Sequence, residues 1–126
     1  MSKVLEHRRL RVYVAGPITQ DVFEGVYRGL RVGRQMVTDG LAPYVPHSDA
    51  FMFMEGDNWN SFLEWDVEWV GMSEAVYRLS GDSPGADLET AKAKSLGIPV
   101  FYENEGSGYQ GLLQYAKQLG LDGVRK

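Results

Sequence analysis

The chain has 126 residues, 44% of them hydrophobic and 24% charged, which suits one compact domain and leaves no room for a second. It contains no cysteine, which excludes thiol catalysis and every cysteine-based metal centre. A formal charge of −4 and a pI near 5.1 argue against the positive face that nucleic acid or an anionic membrane surface requires, while leaving a small anionic ligand open.

The stretch Met1 to Arg9 is polar, with Lys3, Glu6, His7, Arg8 and Arg9 and no apolar run of signal-peptide length. No later segment has the length of a membrane helix, so the expected location is the cytoplasm. Leu10 to Ala15 is a short apolar β-type run that breaks at Gly16-Pro17. From Asp21 to Asp39 the period changes. Phe23, Val26, Tyr27, Leu30 and Val37 recur at threes and fours, predicting a helix with one apolar face and a second face lined by Arg28, Arg31 and Arg34. Gly40 stops it.

Leu41 to Val45 is a second strand candidate closed by Pro46, followed by an irregular stretch from His47 to Asn58 that is rich in Met, Phe, Gly and Asp. A connection of that length is usually functional or holds a short helix of its own. Asn58 or Asn60 is placed to cap a helix running to about Met72, and Ala75 to Leu79 is a third strand. Ser83 and Pro84 suit the N-cap and first position of a helix reaching Ser95. Gly97 ends that helix, Ile98 to Tyr102 is a fourth strand, and Tyr109 to Leu119 is a last amphipathic helix.

Strands alternating with helices imply an α/β three-layer sandwich, flavodoxin-like or Rossmann-like, with a central parallel sheet of four to five strands. Residues 1–126 form one domain, with polar tails at 1–9 and 121–126. Ligands in such sheets bind beyond the carboxyl ends of the strands, which singles out the loops after Ala15, Val45 and Leu79.

Several side chains on or near those loops have chemical potential. Gly16 and Ile18 lie in the first loop, where backbone amides can approach a ligand, although a plain strand-to-helix turn looks the same. The loop lacks both the P-loop ending and the dinucleotide spacing. In the helix from Trp59, Asp66 shares the apolar stripe of Phe62, Leu63 and Val70. A carboxylate there must be paired with an amide or arginine, or used as an acid or an orienting group. Gly85 and Glu89 are one helical turn apart, so the missing side chain leaves room beside the carboxylate. By spacing alone, the better reading of Glu89 is a solvated helix glutamate paired with Lys92. His47, next to Ser48 and Asp49, follows a strand end but has no triad geometry and reads first as a surface or turn histidine. The run Phe51 to Met54 suits a core or subunit contact, or an apolar lid over a base. No group of residues has metal-ligand spacing.

Tyr13-Val-Ala-Gly-Pro17, the Trp59 to Asp66 helix, Glu74-Ala75-Val76, Ser83-x-Gly85-x-x-x-Glu89 and Leu96-Gly97-Ile98-Pro99-Val100 together resemble the nucleoside 2-deoxyribosyltransferase-like superfamily, especially its small bacterial and phage members. The resemblance runs from about Leu10 to Tyr102. It implies a flavodoxin-like fold, a homodimer or larger assembly, and a double displacement at an N-glycosidic bond with neither metal nor organic cofactor. The nucleophile maps onto Glu89, the active-site aspartate onto Asp66 and the early tyrosine onto Tyr13. The family's sugar- or phosphate-contacting serine and glycine map onto Ser83 and Gly85, and Gly16, Ile18, His47 and Trp59 are the further candidate substrate-binding residues.

The implied substrate is a nucleoside or its 5′-monophosphate, and the acceptor is water or a second base. A non-catalytic nucleotide-binding protein and a glycohydrolase of NAD-type substrates are the rival readings. Two positions depart from the family pattern. Pro17 and Thr19 stand where the nucleotide N-glycosidase branch holds phosphate ligands, with Arg28 or His47 as possible substitutes; Arg28 more simply belongs to the solvated arginine face. Glu74 replaces an aspartate at the start of the third strand, at or near the pocket.

Overall fold

Alternation of side chains along Arg11–Ala15 (β1) decides how the layers assemble. Val12 and Val14 point to one face of the sheet, and Tyr13 and Ala15 to the other. All four are buried, so a helical layer must cover each face. The computed structural model describes residues 8–17, 22–47 and 59–123, except the side chains of 22 and 59–63.

Among the described residues, β1 is followed by Val22–Thr38 (α1), Ala42–Tyr44 (β2), Trp59–Gly71 (α2), Ala75–Arg78 (β3), Pro84–Ser95 (α3), Val100–Tyr102 (β4) and Gly108–Gln118 (α4). The four strands are parallel in the order β2-β1-β3-β4. Tyr13 pairs with Tyr44 on one side and Val76 on the other. The molecule is therefore the flavodoxin-like α/β sandwich expected from the alternating pattern.

One core joins Val12, Val14 and Tyr77 to Met36 of α1 and to Leu112 and Ala116 of α4. The other joins Tyr13, Ala15 and Val76 to Val70 of α2 and to Ala86 and Ala93 of α3. Chain direction across the sheet reverses between β1 and β3, so the crevice lies beyond their carboxyl ends, on the side of α2 and α3.

The helix α1 turns the other way from its predicted orientation. Gly25, Val26, Gly29, Gly33 and Met36 are buried against the sheet, whereas Phe23, Tyr27, Leu30 and Val37 are 73%, 63%, 48% and 52% exposed. The glycines explain the reversal. A Cβ on Gly29 would lie 2.6 Å from the His47 ring and one on Gly33 would lie 2.6 Å from Val45, so only a face without side chains can approach β2 and the turn after it. At the C-terminal end, Leu121 packs against the core and its carbonyl accepts from Leu10 N at 2.7 Å, while Arg9 and Asp122 form an antiparallel bridge. Folded structure therefore extends into both stretches predicted as tails.

Candidate active site

The site is assembled by three elements that meet under the carboxyl end of the sheet. Ser83 caps α3, its Oγ accepting from Ala86 N at 3.1 Å, and Pro84 occupies the first turn. That start sets the rotation of the helix. Gly85, Ala86, Glu89, Thr90 and Ala93 consequently face inward, and Glu89 is only 4% exposed, not the solvated glutamate that spacing alone allows.

Glu89 Oε2 accepts a hydrogen bond of 2.5 Å from the Tyr13 hydroxyl. Tyr13 itself is fully buried, and its ring is fixed by a stack on Tyr44 at 5.8 Å, which stacks in turn on Trp69 at 5.0 Å. Asp66, 2% exposed on α2, also hydrogen-bonds to Glu89. A hydrogen bond between two carboxyl groups requires a proton on one of them, so the pair holds a proton jointly.

Burial pushes the Glu89 carboxyl up to about 7, against the opposing effects of the Tyr13 and Asp66 hydrogen bonds and the Arg78 charge. Burial, with the Glu89 and Asp66 charges, raises the Tyr13 phenol well above its ordinary value, so it remains a donor. Chemically the cluster offers one carboxylate oxygen held by a phenol and a second carboxyl able to store or return a proton.

No protein-family model and no curated protein sequence matches the chain. Among solved structures, a 2-deoxyribosyltransferase from Bacillus psychrosaccharolyticus is similar at a TM-score of 0.56 and 19% identity, over 73% of this chain and 70% of that one. The likeness is one of fold.

The remaining predicted positions divide clearly. Gly16 is half-buried at the end of β1, and a Cβ there would lie 2.8 Å from Leu79 Cβ, so close packing between the two central strand ends already requires a glycine. Ile18, Thr19 and the Phe51 to Met54 run lie outside the described residues. Trp59 begins α2, but its side chain is likewise outside them. His47 is buried and not a surface histidine. It is 1% exposed, packs on Gly29, and neither ring nitrogen has a hydrogen-bond partner among the described residues. Burial and the nearby Arg28 charge lower it to about 4, so it is neutral near pH 7.

Arg28 is not on a solvated arginine face. It donates to Ser80 O and Ser80 Oγ at 2.9 Å each, and to Glu103. Glu103 also accepts from Ser80 N at 2.9 Å. The cluster ties α1 to the ends of β3 and β4. Glu74 lies just before β3, at the opposite end of the strands from the crevice. It accepts from Arg8 at 2.7 and 2.9 Å and from Arg11 N at 3.0 Å, and the Arg8 hydrogen bond leads the effects that hold it at about 2.

Arg78 was not predicted as part of this region. It is 9% exposed at the end of β3 and donates to Leu79 O, to Gly81 O at 3.0 Å and to Asp87 at 3.1 Å. Its signal was an arginine inside the apolar run Ala75 to Leu79, where an unpaired charge is prohibitive.

Proposed function

We propose that the protein cleaves the N-glycosidic bond of a nucleoside through a covalent glycosyl ester on Glu89, and passes the sugar to water or to a second base. The carrying observation is the buried Glu89 carboxylate, held by the Tyr13 phenol and bonded to a second carboxyl at the sheet's switch point. Such a carboxylate is pre-oriented and poorly solvated, two conditions that favour attack on an anomeric carbon.

Glu89 Oε1 bonds to the anomeric carbon as the carbon–nitrogen bond breaks, its electron pair leaving with the base. Conversion of Glu89 to an ester weakens its hold on the shared proton. Asp66 then delivers that proton to the departing base, directly or through water. In the second half, the Asp66 carboxylate takes a proton from the incoming acceptor, which displaces the sugar and regenerates Glu89. The Asp66 hydrogen bond to Glu89 supports this role for Asp66, and the arrangement differs from a retaining glycosidase, whose acid and nucleophile are separated by roughly 5 Å.

Ser83 Oγ accepts from the helix amide, which leaves its own O–H to donate to a sugar oxygen, and Gly85 keeps the space beside Glu89 open. A nucleoside is favoured over its 5′-monophosphate because the Arg28 and Arg78 guanidiniums at this edge are engaged by protein oxygens.

The test is to incubate the wild type and Glu89→Ala with ribo- and deoxynucleosides, their monophosphates and NAD, and to follow free base by chromatography. Release from nucleosides by the wild type alone is expected. Binding by both proteins with release by neither would overturn the proposal in favour of a sequestering protein. Release from NAD alone would make it a glycohydrolase of that larger substrate.

A further inference from the structure

Arg78 is the one buried arginine or lysine among the described residues, 9% exposed at the end of β3. Register shows which way it points. Ala15 pairs with Arg78 as Tyr13 pairs with Val76, and side chains alternate along a strand. Val76 packs with Tyr13 on the side of α2 and α3, while Tyr77 and Leu79 belong to the other core. Arg78 therefore projects into the layer that holds Glu89 and Asp66, at the crevice end.

Its direct partners do not account for its burial. It donates to two neutral carbonyls, Leu79 O and Gly81 O, and to the carboxylate of Asp87, an exposed residue. A pair with so solvated an anion offsets little of the desolvation of a guanidinium. In the same layer the Glu89 and Asp66 carboxyls are buried, and the Arg78 charge favours the ionised form of Glu89.

We propose that Arg78 is the counter-ion of this carboxyl pair, a positioning residue that matches the one negative charge the pair carries at each stage of the reaction. The role rests on the reaction proposed above. With one proton between them, Glu89 and Asp66 together carry one negative charge at rest. In the glycosyl ester Glu89 is neutral, and Asp66, its proton given to the base, is ionised. The charge moves from one side chain to the other and is neither gained nor lost. A fixed cation in a poorly solvated layer stabilises both states. A guanidinium suits the task because it stays protonated when buried. Leu79 O and Gly81 O lie in the turn before α3, and Asp87 lies in its first turn, with Asp87 N donating to Ser83 O at 2.9 Å. Cation and nucleophile are thus mounted on one turn-and-helix unit.

The other groups facing Glu89 are the Tyr13 phenol from β1 and Asp66 from α2. Glu64 and Glu68 of α2 and Lys92 of α3 are exposed, and the exposed Lys94 lies over the Tyr102 ring of β4 at 5.4 Å. Solvent screens these charges, which leaves Arg78 as the cation of the layer.

Carbon-13 NMR of the Glu89 carboxyl, assigned with Glu89→Gln, follows its titration in the resting full chain, alongside the pH profile of base release. Arg78→Met is expected to move the Glu89 midpoint to higher pH and to lower kcat/KM at pH 7 roughly tenfold, with recovery at higher pH. Arg78→Lys keeps the charge and should stay near the wild-type midpoint, even where loss of the planar fork lowers the melting temperature. Asp87→Asn removes the exposed anion that offsets Arg78, so the midpoint should move the opposite way. That variant decides the matter where Arg78→Met fails to fold. An unmoved midpoint in the deciding variant, or one that moves as far in Arg78→Lys as in Arg78→Met, would overturn the proposal. The midpoint is read without turnover, so an absence of base release counts against the reaction, and an unmoved midpoint with base release counts against the counter-ion alone.

Discussion

Glu89 shows how one residue is legible in sequence and how its setting is not. Its place one turn beyond Gly85 near a helix start at the carboxyl end of the sheet was readable from spacing and fold logic, but its burial was not, because by spacing alone a solvated pairing with Lys92 was the better reading. Burial follows from the Ser83 cap, which fixes the helix rotation, and from Tyr13, whose hydroxyl reaches Glu89 from a strand 76 positions away in sequence. A carboxyl raised to about 7 makes the ionised nucleophile appear across neutral pH, so base release should rise with pH through about 7. Tyr13→Phe removes a bond that favours the carboxylate. The acid limb of the pH–rate profile should move upward, with kcat/KM at pH 7 falling roughly 10- to 100-fold and partly recovering at higher pH. An unmoved limb would show that the phenol does not set the Glu89 ionisation.

At the scale of elements, the strand and helix order of the described residues was legible almost throughout, because period and punctuation agree in each segment. The helix α1 is the exception. Hydrophobic periodicity marked Phe23, Val26, Tyr27, Leu30 and Val37 as one apolar face, but of these only Val26 is buried; steric access decided the rest, and the glycines at 25, 29 and 33 were the overlooked signal. Gly29→Ala should therefore cost about 1–3 kcal/mol in chemical denaturation, since the new methyl meets the buried His47 ring. Ser83→Ala should cost about 1 kcal/mol by removing the α3 cap. It should also lower turnover, because the same helix start carries Glu89. Pairings such as Arg28 with Ser80 and Glu103 join residues 52 and 75 apart, which no local spacing reports.

For the whole molecule, two buried groups give opposite pH dependences of stability. Glu89 titrates at about 7 when folded against 4.5 ordinarily. The unfolded chain therefore releases its proton first, and up to about 3 kcal/mol of stability is lost as pH rises from 4.5 to 7. His47 is lowered from 6.5 to about 4. The unfolded chain binds a proton first as pH falls, so up to about 3 kcal/mol is lost from pH 6.5 down to 4. Between pH 4.5 and 6.5 the two nearly cancel. Thermal melts of the wild type should be almost flat there, whereas Glu89→Gln should become steadily more stable from pH 4.5 to 6.5 and exceed the wild type at pH 8. Equal slopes in the two proteins would contradict the burial of an ionisable Glu89. The covalent step on Glu89 is the core of the proposed reaction. The most direct measurement is intact-mass and peptide mapping of the protein, acid-quenched during turnover of a deoxynucleoside. A deoxyribosyl mass increment on the peptide containing Glu89, absent in Glu89→Gln, is the predicted result. Base released without that increment, or an increment on another residue, would contradict it.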